Sequence, residues 1–175
     1  VLKPVAEGSS WDVYIFKDNM LDAEVNEIIS SKVRENFHKK AWMLERFIEG
    51  REFSVSIMLD KALPVIEIKP KKLFYSYEAK YLSKDTNYIC PAELSDEKSL
   101  YMQEIALKAF LSLGCEHWGR VDFLMDKSDN IYLLEANTIP GMTETSLVPK
   151  AAQEIGIDFN KLVVLLLASC DRKLN

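Results

Sequence analysis

Cysteine is scarce in this 175-residue sequence: Cys90, Cys115 and Cys170 stand far apart, with no CxxC or metal-ligand spacing. That excludes a disulfide framework or a thiolate metal site and points to reduced thiols in a cytoplasmic protein. Long hydrophobic runs are also absent. The longest, residues 162–168, falls well short of the ~20 residues needed to cross a bilayer, and no signal-peptide pattern occurs. No membrane partner is expected; the run reads as an amphipathic C-terminal helix. Positive charge is in deficit, with a net charge of −5 at pH 7. Nucleic-acid binders need a basic surface, so that partner class is excluded, although a few placed lysines can still hold a triphosphate. There is no GxxxxGK[ST] phosphate loop, no internal repeat and no low-complexity tract. The sequence has no initiator methionine, and Val1-Leu2-Lys3-Pro4 reads as the end of a strand. It is therefore expected to be part of something longer.

What is present describes an ordinary globular protein, with 48% hydrophobic and 28% charged residues. A short strand is expected at residues 13–16 and a helix at 21–36, where Val25, Ile28, Ile29 and Val33 recur at helical spacing. Residues 42–48 read as a strand broken by Glu49-Gly50-Arg51. A hairpin follows, with residues 52–59 turning at Asp60-Lys61 and returning over 63–68 to Pro70. Residues 71–94, rich in tyrosine and without a period, read as a long binding loop or lid. Ser95 is a natural N-cap for a helix ending at Gly114. Residues 119–125 and 130–137 form a second hairpin, and helices over about 147–155 and 160–169 finish the chain. Antiparallel hairpins among helices make an α+β protein.

The second hairpin carries the strongest chemical signal. Alternation puts Arg120 and Asp122 on one face of its first strand, and Glu135 and Asn137 on one face of its second. A turn centred on Ser128-Asp129 sets Asp122 opposite Glu135 and Arg120 opposite Asn137. Facing carboxylates destabilise a sheet unless a cation or protein hydrogen-bond donors relieve them. Hard oxygen donors of this kind suit magnesium, which completes its shell with water and phosphate oxygens. A solvated polar face gives the same alternation.

Three weaker signals accompany it. Lys3-Pro4-Val5-Ala6-Glu7-Gly8-Ser9-Ser10 can bring an ammonium, hydroxyls and backbone N–H groups to one anion, or can be an ordinary turn. Leu44-Glu45-Arg46-Phe47-Ile48 offers a strand edge that can pair with adenine, and Glu52 a carboxylate for ribose hydroxyls; the same residues also suit a plain charged strand. Tyr75, Tyr77, Lys80 and Tyr81 lie on the long loop, where tyrosines also pack on a protein's body without further function.

Taken in order, these segments resemble the D-alanine:D-alanine ligase family over essentially the whole chain. The resemblance rests on Lys-Pro with Glu-Gly-Ser-Ser at Lys3 to Ser10, Glu-Phe-Ser-Val at Glu52 and Phe-Tyr-Ser-Tyr-Glu-Ala-Lys-Tyr at Phe74. It continues through Tyr-Ile-Cys-Pro-Ala at Tyr88, Gly-Cys at Gly114, Trp-Gly-Arg-Val-Asp at Trp118 and Leu-Leu-Glu-Ala-Asn-Thr-Ile-Pro-Gly-Met-Thr at Leu133.

The resemblance implies an ATP-grasp fold. Residues 1–44 would be the remainder of the central domain and 45–175 the C-terminal catalytic domain, an antiparallel sheet with flanking helices. It further implies that Lys3 and Lys80 reach the ATP phosphates, with Ser10 in the serine loop beside them. Glu45, Phe47 and Ile48 would recognise adenine, and Glu52 ribose. Asp122, Glu135 and Asn137 would ligate Mg2+, or Mn2+ in its place. Arg120 and the Gly141 amide would stabilise an oxyanion. Ser146 and the Leu147 amide would grip the second D-alanine's carboxylate, and Ser9 with Tyr81 would link the serine loop to the mobile loop. The implied partners are ATP, D-alanine, the family's upstream N-terminal domain and a second copy of the protein.

Ile139 stands where the family more often has serine, and Glu144-Thr145 where it has Ser-His, which bears on the second-substrate pocket. The rival readings are a ligase joining D-alanine to D-lactate or D-serine, another ATP-grasp enzyme, and a module that binds nucleotide without catalysis.

Overall fold

In the computed structural model the described residues are 1–6, 12–16, 20–36, 40–70 and 86–171. They belong to two compact units, Val1–Ile48 with Pro70–Thr86, and Glu49–Lys69 with Asn87–Asn175. Ser9, Ser10, Lys80 and Tyr81 lie outside the described residues.

In the first unit, β1 (Leu2–Pro4) pairs antiparallel with β2 (Trp42–Leu44), setting Lys3 opposite Met43. The strand expected at residues 13–16 reduces to one bridge, in which Tyr14 and Leu2 exchange backbone hydrogen bonds of 2.8 and 2.9 Å. The strand expected over 42–48 stops at Leu44. Helix α1 (Asp22–Asn36) opens with Asp22 and Glu24, which suit the positive end of the helix dipole, and the Leu21 amide donates to Glu24 Oε2 at 3.2 Å.

The second unit is built on a sheet ordered β6-β5-β3-β7-β8, with β4 beside β3. Its strands are β3 (Gly50–Met58), β4 (Lys61–Ala62), β5 (Ile66–Pro70), β6 (Thr86–Ile89), β7 (Trp118–Asp126) and β8 (Ile131–Asn137). The central pair, β3 and β7, is antiparallel, with Phe53 opposite Phe123 and Val55 opposite Val121. Odd-numbered side chains of both strands turn inward. Phe53, Val55, Ile57, Val121, Phe123 and Met125 meet Met102, Ala106 and Phe110 of α2 (Asp96–Ser112), which are four apart and so share one helix face. Each large side chain buried here is worth about 1.5–3 kcal/mol.

Four details of this sheet depart from the sequence reading. Gly50 does not break a strand but begins β3. A Cβ there would lie 1.9 Å from the Met125 carbonyl oxygen, so only glycine lets the two backbones come this close. The turn falls at Leu59-Asp60, both with positive φ (50° and 63°) as the tight hairpin twist requires. Its returning strand is split into β4 and β5 around Pro64, which has no N–H to give the ladder. Finally, residues 86–89, expected within the long loop, form the edge strand β6.

Helix α2 begins as expected, with the Ser95 hydroxyl accepting from the Lys98 amide at 3.3 Å, and it ends at Gly114 with φ 69°. Two further helices follow, α3 (Leu147–Glu154) and α4 (Phe159–Asp171). Helix α3 packs against β3. No helix among the described residues is long and apolar enough to cross a membrane.

Candidate functional site

With odd positions of β3 and β7 committed to the core, the even positions share the other face: Glu52, Ser54, Ser56, Arg120 and Asp122. On β8 the phase changes partway along. Phe123 pairs with Leu133, yet the neighbouring Asp122 pairs with Glu135, so Leu134 is an extra residue in the ladder, a β-bulge. Ile131 and Ala136, of opposite parity, both pack on the core as a result. Without the bulge Asp122 would face Leu134, and Glu135 would move to the core side. The bulge is what aligns Glu135 with Asp122 and Asn137 with Arg120.

Asp122, only 4% exposed, is the centre of the resulting cluster. Arg120 grips it in a two-point fork, Nε to Oδ1 and Nη2 to Oδ2, both 2.8 Å. Ser54, buried on the adjacent strand, donates its hydroxyl to Oδ1 at 2.8 Å. The Asn137 amide nitrogen donates to Oδ2 at 2.9 Å and to Glu135 Oε1 at 3.2 Å, bridging the two carboxylates. The facing acids are thus relieved by an arginine and an amide. A carboxylate buried with four donors is worth holding only in a fixed position, since its desolvation is costly.

The donor set also fits a hard divalent cation. Two carboxylates and an amide supply oxygens of the right kind, once the Asn137 amide turns its oxygen rather than its nitrogen inward. No group of three or more His, Cys, Asp or Glu side chains converges among the described residues. The remaining positions would fall to water and phosphate oxygens, as magnesium ordinarily has it.

Beyond β8 the chain turns through residues 138–146 into α3. A Cβ on Gly141 would meet the Ser146 hydroxyl at 3.1 Å, so these two residues of the expected substrate grip are neighbours. Ser146 occupies the N-cap of α3 without capping it. Its oxygen instead accepts from the Thr143 amide at 3.0 Å and bonds the Thr143 hydroxyl at 2.8 Å. Pro149 has no N–H, and the amides of Leu147 and Val148 lack a side-chain cap at the positive end of the helix dipole, an arrangement suited to an anion. Ile139, in the same loop, is 88% exposed.

In the first unit, the Lys3 ammonium lies 2.6 Å from Glu45 Oε2, while the Glu45 amide donates to the Val1 carbonyl at 2.8 Å. Phe47 is 41% exposed on the segment that follows β2. Glu52 belongs to the second unit, opposite Leu124 on β7 and Ile68 on β5.

Two participants escaped the sequence reading. Ser54 and Thr143 lie within the segments that carry the resemblance, at Glu52 and Leu133, but no role is expected of either from the sequence. Period-two alternation puts Ser54 on the even face of its strand, but only strand pairing sets it against Asp122.

Comparison with known proteins identifies the family and the fold. The family described as D-ala D-ala ligase C-terminus matches residues 1–168. A D-alanine--D-alanine ligase of Saccharophagus degradans is 44% identical over 167 residues, covering 95% of this chain and 51% of the relative. Another, from Ruthia magnifica subsp. Calyptogena magnifica, is 43% identical over 169 residues, covering 95% and 55%. The chain thus spans about half the length of the curated relatives it matches. Among solved structures, a Bacillus anthracis D-alanine--D-alanine ligase complexed with ATP superimposes with a TM-score of 0.74 at 30% identity, covering 98% of this chain and 53% of that one. The Coxiella burnetii ligase gives a TM-score of 0.78 at 26% identity, with coverages of 98% and 44%. The mixed helices and antiparallel sheet are the α+β ATP-grasp architecture expected from the sequence, and the chain belongs to the D-ala D-ala ligase C-terminus family.

Proposed function

We propose that this chain carries the C-terminal catalytic part of an ATP-dependent ligase that joins two D-alanines into D-alanyl-D-alanine for peptidoglycan precursors. The observation that carries the reading is the Arg120, Asp122, Glu135 and Asn137 cluster on one sheet face, with the Gly141–Ser146 loop following β8 directly in the chain. In this proposal the first D-alanine's carboxylate attacks the γ-phosphate of ATP, giving an acyl phosphate and ADP. The second D-alanine's amine then attacks the acyl carbon, and phosphate leaves. Such chemistry asks the protein mainly for positioning and charge stabilisation.

Asp122, Glu135 and Asn137 would hold Mg2+, or Mn2+, which neutralises charge on the phosphates. Arg120, already anchored on Asp122, would direct positive charge at the developing oxyanion, with the Gly141 amide as second donor. Ser146 and the uncapped Leu147 amide would hold the second substrate's carboxylate at the start of α3. Lys3, Lys80 and Ser10 are assigned to the ATP phosphates, Glu45, Phe47 and Ile48 to adenine, Glu52 to ribose, and Ser9 with Tyr81 to closure of the mobile loop. Residues 1–44 are assigned to the central domain and 45–175 to the catalytic domain. The rest of the first-substrate site would come from the family's N-terminal domain, in a cytoplasmic homodimer.

The test is phosphate release from ATP by the full-length protein with Mg2+. Release with D-alanine, accompanied by the dipeptide, is expected. Silence with D-alanine, but turnover with L-alanine or only when D-lactate is added, would overturn the substrate assignment.

A further inference from the structure

Ser54 and Ser56 lie two residues apart on β3, both on the even face and both 1% exposed. They differ in one respect. The Ser54 hydroxyl donates to Asp122 Oδ1, whereas the Ser56 hydroxyl, opposite Arg120 in register, has no hydrogen-bond partner. Burial of a hydroxyl costs free energy unless it is bonded, so Ser54 is tied to Asp122 in a way that its equally buried neighbour is not. The two oxygens of Asp122 are also treated differently. Oδ1 receives Ser54 and Arg120 Nε, from a neighbouring strand and from its own. Oδ2 receives Arg120 Nη2 and Asn137 Nδ2. When Asn137 turns its amide oxygen inward, Oδ2 loses a donor and becomes available to a cation, while both donors to Oδ1 stay in place.

Resting on the cation site proposed above, we infer that Ser54 is a positioning residue of this site, pinning Oδ1 of Asp122 so that Oδ2 is presented to the divalent ion. Outer hydrogen bonds of this kind orient metal ligands, and their loss typically weakens metal binding by about 10–100-fold. Ser54 need not touch substrate or ion. Its hydroxyl proton is its contribution, so threonine, which keeps that proton and suits a strand, should replace it where alanine cannot.

The experiment is Mn2+ binding in the presence of ADP, followed by the electron paramagnetic resonance of free Mn2+. It uses the full-length protein and its Ser54→Ala, Ser54→Thr, Ser56→Ala and Asp122→Asn variants, with thermal melts to establish folding. The inference expects Ser54→Ala to bind Mn2+ about tenfold more weakly, Ser54→Thr to restore binding and Ser56→Ala to match the parent. Parental binding by Ser54→Ala, while Asp122→Asn loses it, overturns the role of Ser54 and leaves the cation site standing. Parental binding by Asp122→Asn overturns the cation site and the inference together. Equal weakening by Ser54→Ala and Ser56→Ala also overturns it, since the effect would then follow from hydroxyl loss on that strand rather than from the bond to Asp122.

Discussion

Replacing Asn137 by aspartate tests whether the cluster is held together by an amide bridging two acids. The Asn137 nitrogen lies 2.9 Å from Asp122 Oδ2 and 3.2 Å from Glu135 Oε1. Asn137→Asp removes both hydrogen bonds and adds a negative charge at that spot. Two unit charges about 3 Å apart repel by roughly 1.4 kcal/mol even at the dielectric of water. Two such repulsions give about 3 kcal/mol at neutral pH. The penalty has a ceiling, because the added carboxyl can bind a proton instead. Holding a proton at pH 7 on a group that titrates near 4 when unfolded costs about 4 kcal/mol. The folded state of the variant therefore binds more protons than the unfolded state, and its stability must rise as pH falls from 7 towards 4. The chain spans about half the length of its relatives, and for a full-length protein of that size about 3 kcal/mol lowers the melting temperature by about 4–5 °C at pH 7. Millimolar Mg2+ should return much of this, since a cation among three carboxylates removes the repulsion. Asn137→Leu, which loses the hydrogen bonds but adds no charge, should show neither the pH trend nor the Mg2+ recovery. The assay is thermal melting of the full-length variants between pH 4 and 7, with and without Mg2+. If the aspartate and leucine variants melt alike at every pH and ignore Mg2+, the two carboxylates are not held as described.

Three further outcomes are expected. Glu135→Gln keeps size and hydrogen-bonding capacity but loses charge, so ligation should fall by about 100-fold or more while the melt stays near the parent's; normal turnover would remove Glu135 from the site. Gly50→Ala drives a Cβ into the Met125 backbone and should cost more than about 3 kcal/mol of stability. Gly114→Ala, at φ 69° with nothing within 4 Å, should cost only the roughly 1 kcal/mol of left-handed strain. Similar melts for the two would refute the steric argument. At the β7–β8 turn, the side chain and amide of Asn130, then Tyr132 and the Ser128 amide, hold the Asp126 carboxyl down to about 2. Its stabilisation is then complete above about pH 4 and is lost as pH falls towards 2. Melts of Asp126→Ala should lie below the parent's at pH 6 and converge with them near pH 2, and a constant gap would refute the assignment.

How far the sequence foretold these features depended on whether each was encoded locally. Ser95 as a helix cap and Gly114 as a helix stop each depend on residues within one turn, and both stand where the pattern puts them. Gly50 departs from its expected place because glycine has two uses. Nothing in the local sequence tells a chain break from a place where two strands crowd together, and the deciding atom is the Met125 carbonyl, far along the chain. The strand over residues 86–89 is not legible locally for a related reason: an edge strand draws its hydrogen bonds from a partner, and its own residues carry no clean alternation.

The pairing of Asp122 with Glu135 was expected from a turn centred between Ser128 and Asp129, and the pairing is found, but by another route. The turn pairs Met125 with Ile131, which centres it on Ser128. That centre alone would have set Asp122 against Leu134, and the bulge supplies the missing residue. Two offsets of half a step cancelled. A bulge leaves little mark in composition, yet here it decides which side chains of β8 join the site, because every residue before it keeps one parity and every residue after it the other. Site residues are therefore legible from a sequence to the extent that their types are unusual, as two acids, an amide and an arginine are. Ser54 is a common residue in a common setting, and what gives it a role is a hydrogen bond across 68 positions of sequence. Only the fold could supply that.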